Sequence, residues 1–493
     1  MKNLLYSVKR NSFILISALT LGGLAACSED FLDVEPEGLG VAEEFFLTPE
    51  HARLAINSIY GFQREYNIMA FPYLGITTIS SDNAAKGSVP GDAGFMEEYD
   101  NFTVTPTQGL LNAYWVGLYR AINLTNQVLT NVPLINMDAT EKDRILAEAK
   151  FFRAYHYFSL VRTFGGVPIR LSVPFPGEPE DPATINIPRA SRDEVYAQII
   201  KDLTEASQVL QPSYPASDRG RVDKGAALGM LAKVQLYQRN WQEVLNLTNQ
   251  VAALGYSLVD DYYSIFRISG EHNMESVFEI EAQTIPGNCA ASNSQWAEVQ
   301  GVRAQFGWGF VEPTEDLVNA FEEGDERLEA TILFRGETTP EGDVINPNAP
   351  NPRYNQKAYV PSFVNRDCGY ARDQNIRILR FAEILLIRAE AANELGDITQ
   401  ALADLNRVRE RAGLDRIESA TQDELRQLIW KERRVELALE NGDRYFDLVR
   451  QGRAAEVFQA QGKQFQAGKN ELMPIPLQQI ILSNGVLTQN PGY

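Results

Sequence analysis

The chain has 493 residues, of which 44% are hydrophobic and 22% are charged, and its formal charge is −20 at pH 7. This length and apolar content suffice for a large folded core. The acidic balance, with no basic stripe to offset it, repels nucleic-acid phosphates and anionic lipid headgroups, which argues against a nucleic-acid-binding protein.

The first 26 residues are predicted to be a bacterial lipoprotein signal peptide. Lys2, Lys9 and Arg10 form a basic leader, and residues 13–26 form an apolar run that is too short to span a bilayer stably. The run ends in Leu24-Ala25-Ala26-Cys27, a cleavage site at which the cysteine is acylated. An ordinary signal peptide and a cytosolic protein with an apolar start are the alternatives. Acyl chains tether a domain to a membrane without crossing it.

Residues 27–47 are predicted to be an acidic tether, and residues 48–493 a single helical domain. Removal of the leader takes away three positive charges and no acidic ones, so the formal charge becomes −23 instead of −20. Cys289 and Cys368 remain in the mature chain. An exported protein permits a disulfide between them, and two separate thiols are the alternative.

Capping signals and helical periodicity predict most of the chain in order. Thr48-Pro49-Glu50 starts the first helix. Further helices are predicted over 113–129 and from Thr140 to Gly165, where His156 among aromatic residues is expected to be a core histidine. Capping boxes at Ser191 and Thr421 each place a glutamate three residues on, and each starts another helix.

Two stretches, 225–255 and 375–414, are predicted to be helical hairpins. In the second, apolar residues recur with helical spacing from Ile378 to Leu395, stop at Gly396-Asp397 and resume at Ile398, and Gly413 suits a left-handed cap. The unit length and its small residues resemble a tetratricopeptide repeat. A plain pair of amphipathic hairpins would give much the same pattern.

Irregular tracts are predicted between the helices, at residues 66–107, 284–310 and 336–373. They are rich in Gly, Pro, Asn and Ser, and loops of that length in a compact protein are usually functional or disordered. Residues 275–281 alternate apolar and charged side chains and are the best candidate for a strand. The predicted fold is therefore all-α, with hairpins as a scaffold, long loops and little β structure.

The sequence carries no motif of a catalytic or metal centre. It lacks the metalloprotease, serine-hydrolase, phosphate-loop and dinucleotide motifs, and its histidines, His51, His156 and His272, are scattered. Glu432, Glu436 and Glu440 share one helical face, where carboxylates could bind a metal or act as acid and base. Interleaved arginines (Arg433, Arg434, Arg444 and Arg450) favour structural ion pairs instead.

Segments along nearly the whole mature chain carry a family resemblance. They are WVGLYRAINLTNQ from Trp115, AEAKFFRAYHYFSLVRTFGGVPI from Ala147, RILRFAEILLIRAEAANELGD from Arg377 and ERRVELALENGDRYFDLVRQG from Glu432, together with the lipobox cysteine. In this order they resemble the SusD/RagB family of Bacteroidetes surface glycan-binding lipoproteins. The acidic residues behind Cys27 resemble the surface-export signal of such lipoproteins, a solvated tether being the alternative.

The resemblance implies a tetratricopeptide-like scaffold whose irregular loops carry the ligand site. It implies an oligosaccharide ligand, a SusC-type TonB-dependent transporter as partner, and a lipid-anchored position at the cell surface of the outer membrane. No cofactor, metal or catalytic residue is implied. Some relatives take peptides or other nutrients, and an adaptor that binds protein through its repeat surface is a further alternative; a glycosidase would need two carboxylates in one cleft.

Candidate ligand residues follow from the chemistry of sugars, whose apolar faces stack on aromatic rings while polar groups bind the hydroxyls. Trp115, Trp241 and Trp430 fit helical patterns and are assigned to the core. Among loop residues Trp296 is favoured, whereas Trp308 is given a structural role slightly ahead of ligand contact. The remaining candidates are Tyr73, Asp82, Asn83 and Cys289, and more weakly Tyr354, Tyr359, Arg366, Tyr370 and Arg372.

Overall fold

The computed structural model describes residues 45–173, 186–283, 294–364 and 373–493. Its longer helices are α1 (Pro49–Phe62), α2 (Gly109–Asn131), α3 (Ala139–Phe164), α4 (Arg192–Val209), α5 (Lys224–Tyr237), α6 (Trp241–Ala252), α7 (Phe381–Glu394), α8 (Ile398–Arg411), α9 (Gln422–Glu436), α10 (Asp443–Arg450) and α11 (Ala454–Ala460). Residues 48–493 form one compact unit. In the described ranges, every helix is too short or too polar to cross a membrane.

The helices pack as a row of antiparallel hairpins in chain order. Helix α2 packs on α3, α3 on α4, α4 on α5, α5 on α6, and α7 on both α8 and α9. Helix α6 also packs on α7, although residues 253–380 separate them in sequence. At Gly229 of α5 a Cβ atom would lie 2.7 Å from the side chain of Leu379, so the small residue allows the close approach. The predicted tetratricopeptide-like scaffold is confirmed.

Three antiparallel strand pairs join distant parts of the chain. Strand β1 (Ala84–Gly87) pairs with β3 (Phe310–Pro313), and β4 (Ile332–Phe334) pairs with β5 (Arg353–Asn355). Strand β2 (Ser276–Ile280) pairs with β6 (Ile376–Arg380), with Glu279 opposite Arg377. The predicted strand over 275–281 is confirmed.

The start of the second predicted hairpin differs from the periodic interpretation. Residues 376–380 form β6 rather than the first turn of a helix, and α7 begins at Phe381. All five residues of the strand are buried, because β2 covers its edge and α5 also packs against it. Local periodicity could not separate a fully buried strand from a buried helix. Gly413 has φ +76°, as the predicted cap requires.

The capping signals placed the helix starts well. Thr48 caps α1, and the Ser191 and Thr421 boxes form complete reciprocal hydrogen bonds with Glu194 and Glu424. Helix α3 begins one residue earlier than predicted, because the carboxylate of Asp138 accepts the Glu141 amide and serves as its cap. The first loop tract, 66–107, is more regular than predicted and contains short helices at Tyr66–Met69, Phe71–Leu74 and Glu97–Asp100.

His156 is a core residue, as predicted. Its side chain is buried in α3, and neither ring nitrogen makes a hydrogen bond within the described residues. Burial lowers the pKa of the imidazole to about 3. A proton on this ring would therefore be far less stable in the folded protein than in the unfolded chain.

We expect His156 to weaken the fold in mild acid. Because its folded pKa lies below the unfolded value, the unfolded chain takes up the proton first as the pH falls from 6.5 towards 3. This residue should lower the free energy of unfolding by about 2 kcal/mol between pH 7 and pH 5. Urea denaturation at both pH values measures the free energy of unfolding, and His156→Leu should lose less of it between pH 7 and pH 5 than the wild type does. His51→Leu is the control. The same loss in the His156 variant as in the wild type would contradict this explanation.

A buried charge network joins the end of α9 to β6, to α8, to the short helix Arg327–Thr331 and, through Lys357, to the third irregular tract. In it, Glu436 of α9 accepts hydrogen bonds from Arg327 (3.0 Å), Arg380 (2.9 Å) and Arg411 (2.5 Å). Burial by itself would raise the pKa of Glu436, but these arginines outweigh it and hold the pKa well below the usual carboxyl value. Other members pair in the same way, namely Glu432 with Arg327 and Arg409, Glu440 with Lys357 and Arg380, and Glu275 with Arg380 and Arg411.

Glu432, Glu436 and Glu440 form structural ion pairs as predicted, but α9 ends at Glu436, so Glu440 lies beyond the helix, and the predicted partners were wrong. The interleaved Arg433 binds Glu383 and Asp447, and Arg450 binds Glu390 and Asp447. Arg433 is adjacent to Glu432 on α9, and neighbouring residues on a helix do not face each other, while Arg450 lies on the separate helix α10. The three glutamates pair instead with Arg327 of the short helix Arg327–Thr331, Lys357 of the third tract, Arg380 of β6 and the α8 arginines Arg409 and Arg411.

Candidate functional site

The three irregular tracts meet on one side of the scaffold. The β1–β3 pairing joins the first tract to the second, with Gly87 opposite Phe310. Asn351 of the third tract donates its side-chain amide to the Gly309 carbonyl at 2.6 Å. Backbone groups that would otherwise be unsatisfied are thereby paired between tracts, so the assembly is held by hydrogen bonds rather than by a regular element.

Trp308 lies half-buried where these tracts meet. Its indole Nε1 donates to Glu298 Oε1 at 3.2 Å, and its backbone N–H donates to the Glu298 carbonyl at 2.9 Å. The ring packs edge-on against Phe71, with centroids 6.0 Å apart. These contacts fix the plane of the indole and leave part of it open to solvent.

Phe95 brings a second aromatic ring to the same assembly. Its side chain is 45% exposed, and it also packs edge-on against Phe71, at 6.2 Å between centroids. Phe71 itself is buried and contacts Phe310 as well. A buried aromatic residue thus supports two rings that reach solvent, a rigid arrangement that costs little conformational entropy when a ligand binds.

Polar groups stand beside these rings. Arg303 forms an ion pair with Asp92, and its guanidinium also donates to Ser88 Oγ at 2.6 Å and to the Trp308 carbonyl at 3.1 Å. Ser88 Oγ donates to Asp92 Oδ2 at 2.7 Å. The side chains of Arg303 and Asp92 are about one-third exposed, at 33% and 31%. We call Phe95, Trp308, Arg303 and Asp92 the Trp308 surface.

Three predicted ligand residues of the first tract are buried and hold structural contacts. The Tyr73 hydroxyl donates to the Asn441 carbonyl. Both carboxylate oxygens of Asp82 are bound by Arg444, at 2.7 and 2.8 Å, and Asn83 Oδ1 accepts from Arg434 at 2.9 Å. These side chains fasten the tract to α9, α10 and the turn between them, and ligand contact by them stays a prediction.

Trp296 was favoured as a stacking platform for ligand, but its side chain is only 4% exposed. It starts a short helix, Trp296–Gln300, and its indole nitrogen makes no hydrogen bond within the described residues. The structure gives Trp296 a packing role. The sequence did not predict this, because a five-residue helix is too short to show helical periodicity. Tyr354 and Tyr359 are also buried. The other loop candidates, Cys289, Arg366, Tyr370 and Arg372, lie outside the described residues, as do Cys27 and Cys368.

The sequence interpretation missed Phe95, Arg303 and Asp92. A usable signal was present, since Phe95 stands in a Gly-rich stretch (GDAGF) much as Trp308 stands in GWGF. The first tract contains no tryptophan, and one phenylalanine among small residues is a weaker sign of a sugar-stacking surface. Arg303 and Asp92 lie far apart in sequence, and only the β1–β3 pairing brings them together.

A separate cleft of about 630 Å³ lies between α2 and the C-terminal helix Leu477–Leu482. Phe62, Tyr119 and Arg120 are among its lining residues. Arg170 and Asn186 also line it, and these two residues flank the stretch 174–185, which lies outside the described residues. The interlocked loops, with fixed aromatic and polar groups, are therefore the better defined site.

Two family models match most of the chain between them. The model described as "SusD family" matches residues 271–493, and the model described as "Starch-binding associating with outer membrane" matches residues 30–236. Among curated proteins, a SusD-like protein P2 of Formosa agariphila is 29% identical, covering 97% of this chain and 98% of that protein. A SusD-like protein of Bacteroides ovatus is 28% identical, covering 89% and 82%.

Solved structures agree with these relatives. A laminarin-binding SusD-like protein superposes with a TM-score of 0.79 at 29% identity, covering 91% of this chain and all of the other. The surface glycan-binding protein A of Bacteroides thetaiotaomicron, solved with laminarihexaose, shares the fold with a TM-score of 0.77 at 23% identity, covering 90% and 99%. With its row of helical hairpins and matches along both halves, the chain belongs to the SusD family.

Proposed function

We propose that this protein is a surface glycan-binding lipoprotein that captures oligosaccharide and delivers it to a SusC-type transporter in the outer membrane. The observation that carries the binding function is the Trp308 surface. Two aromatic rings held by Phe71 offer apolar faces to a pyranose ring, and the Arg303–Asp92 pair offers a donor and an acceptor to its hydroxyls. Binding requires no acid or base, and we infer that no catalysis accompanies it.

We expect the purified mature protein to be retarded in native gels that contain its glycan. Laminarin heads the polysaccharide panel, because it is the ligand named for a similar structure. Trp308→Ala should weaken the affinity about tenfold or more, since a single well-packed aromatic residue often supplies much of the binding energy of an interface. Isothermal titration calorimetry with the retarding glycan measures the change.

Trp430→Ala is the matched control. Trp430 is also half-buried, and its indole donates to a glutamate, Glu390, at 3.3 Å, but it lies on scaffold helix α9. It should lose no glycan affinity. Equal losses in both variants would remove the Trp308 surface from the proposal, and unchanged migration on every glycan would leave a peptide or another nutrient as the ligand.

The anchor and the chain organisation belong to the same proposal. Residues 1–26 act as the signal peptide, Cys27 carries the acyl chains, residues 27–47 form the tether, and 48–493 are the binding domain. We expect Cys27→Ala to move the protein from the membrane fraction to the soluble fraction, because acyl chains supply the membrane affinity. Mass spectrometry of the mature N-terminus checks the acylation. A wild-type N-terminus without acyl groups would contradict the outer-membrane assignment.

A further inference from the structure

A second polar cleft, of about 200 Å³, opens between residues 213–223 and strand β2. His272, Glu279 and Glu281 line it, and one ligand atom from each lies within 4.8 Å of the others. None of these residues belongs to the Trp308 surface or to the buried charge network. The sequence did not reveal the group, because His272 lies in the turn before β2 whereas both glutamates lie in or just after the strand.

Two of the three side chains, His272 and Glu281, are already spaced like ligands of one metal ion. His272 Nε2 lies 3.1 Å from Glu281 Oε1 and 3.3 Å from Oε2. A tetrahedral zinc ion with bonds of about 2.1 Å holds its ligand atoms about 3.4 Å apart. The spacing of the imidazole and the carboxylate is therefore already that of two ligands of one ion.

Glu279 is held in place as a third ligand. It is buried, and its oxygens accept from the His272 backbone N–H at 3.1 Å and from Asn375 Nδ2 at 3.0 Å. A carboxylate oxygen has two acceptor sites, so each can still bind an ion. His272 has φ +54°, a left-handed conformation that L-residues rarely adopt, in the turn before the strand.

Negative charge at this point is incompletely matched. The carboxylates of Glu271, Glu279 and Glu281 come together here, and Arg377 approaches the first two at 3.8 and 3.7 Å, beyond hydrogen-bond distance. Glu281 Oε1 is shielded from solvent, and its partner among the described residues is the His272 imidazole at 3.1 Å. One imidazolium and the more distant Arg377 carry less charge than the three carboxylates, and a divalent cation bound among them would make up the difference.

We propose that His272, Glu279 and Glu281 bind one divalent transition-metal ion, with zinc as the best match. Imidazole and carboxylate are both zinc ligands, and three protein ligands leave one tetrahedral position for water. The ion would bridge the turn before β2 to the end of that strand. The alternative is that no metal binds and that a protonated His272 simply forms an ion pair with Glu281.

Calorimetric titration of the mature, metal-stripped protein without a histidine tag tests this. Zn²⁺ at neutral pH should bind once per chain, and Mg²⁺ should bind more weakly, because imidazole favours transition metals. His272→Ala and Glu281→Gln should each weaken zinc binding about tenfold or more. His51→Ala, outside the group, is the control and should leave the affinity unchanged.

Cobalt gives a readout that surface chelation does not. Co²⁺ added to the stripped protein should produce visible absorption bands of a four-coordinate ion, and His272→Ala should lose them. Thermal melting of each variant without metal separates a lost ligand from a lost fold. Zinc binding that is unchanged in the His272 variant, or no binding up to millimolar zinc in a folded wild type, would overturn the proposal. Glycan binding is measured separately, so either result leaves the proposed function standing.

Discussion

Arg380→Met is expected to be the most destabilising single change in the scaffold. Arg380 is buried at the end of β6 and pairs with Glu275, Glu436 and Glu440, which are themselves buried. Methionine fills much of the volume of the arginine side chain, but the three buried carboxylates lose the cation that they share. Breaking a buried ion pair from one side costs about 3–5 kcal/mol, and three partners place this variant at the upper end. Urea denaturation measures the change in the free energy of unfolding.

The control for Arg380→Met is Arg416→Met. Arg416 also pairs with a glutamate, Glu410, but both side chains are about half exposed, at 53% and 44%. Water solvates Glu410 whether or not its partner is present, so the stability should barely change. If both variants lost the same stability, burial of the ion pairs would not explain the stabilising effect of the network around α9 and β6.

Asp82→Ala is expected to have the second largest effect, on stability rather than on ligand contact. The buried carboxylate binds Arg444 through both oxygens and lies 3.2 Å from Arg434. Burial would raise the pKa of Asp82, but the two arginines outweigh it and lower the pKa. Loss of the carboxylate leaves the largely buried Arg444 without its bidentate partner, whereas Arg434 keeps Asp316 and Asn83, and the change should cost about 3–5 kcal/mol.

The pH dependence of Asp82 supplies a second measurement. Because the folded pKa is depressed, its stabilising effect is present above the unfolded carboxyl value and is lost as the pH falls through the folded one. Asp82→Ala should therefore be destabilised most at neutral pH and approach the wild type in strong acid. Asp316→Ala is the control, since Asp316 binds the same Arg434 at 2.6 Å but is 55% exposed, and should cost about 1 kcal/mol or less.

Glycan titration of the Asp82 variants separates the two roles of this residue. If Asp82 holds the tract, Asp82→Asn loses stability, and any loss of affinity follows the loss of the fold. A drop in glycan affinity with an unchanged free energy of unfolding would instead establish direct contact with the ligand and would contradict the structural role.

Caps and periodicity located most of the scaffold because those signals are local. The Ser191 and Thr421 boxes satisfy their own backbone donors three residues on, whatever the rest of the chain does. The hairpin α7–α8 was visible for the same reason, and its first residues were misassigned because β6 exists only through its pairing with β2. Family membership likewise rested on residue patterns along the chain.

The tertiary structure alone decided which loop residues reach solvent. Trp296 and Trp308 both lie in one Gly- and Asn-rich tract, yet one starts a buried helix and the other lies beside Phe95 and Arg303. That difference comes from the β1–β3 pairing across more than two hundred residues, and a local pattern cannot encode it. The sequence by itself determined the helices, their caps and the family. Long-range contacts decided the partners of the buried charges and the exposed aromatic surface, because burial and ion pairing depend on neighbours that are distant in the chain.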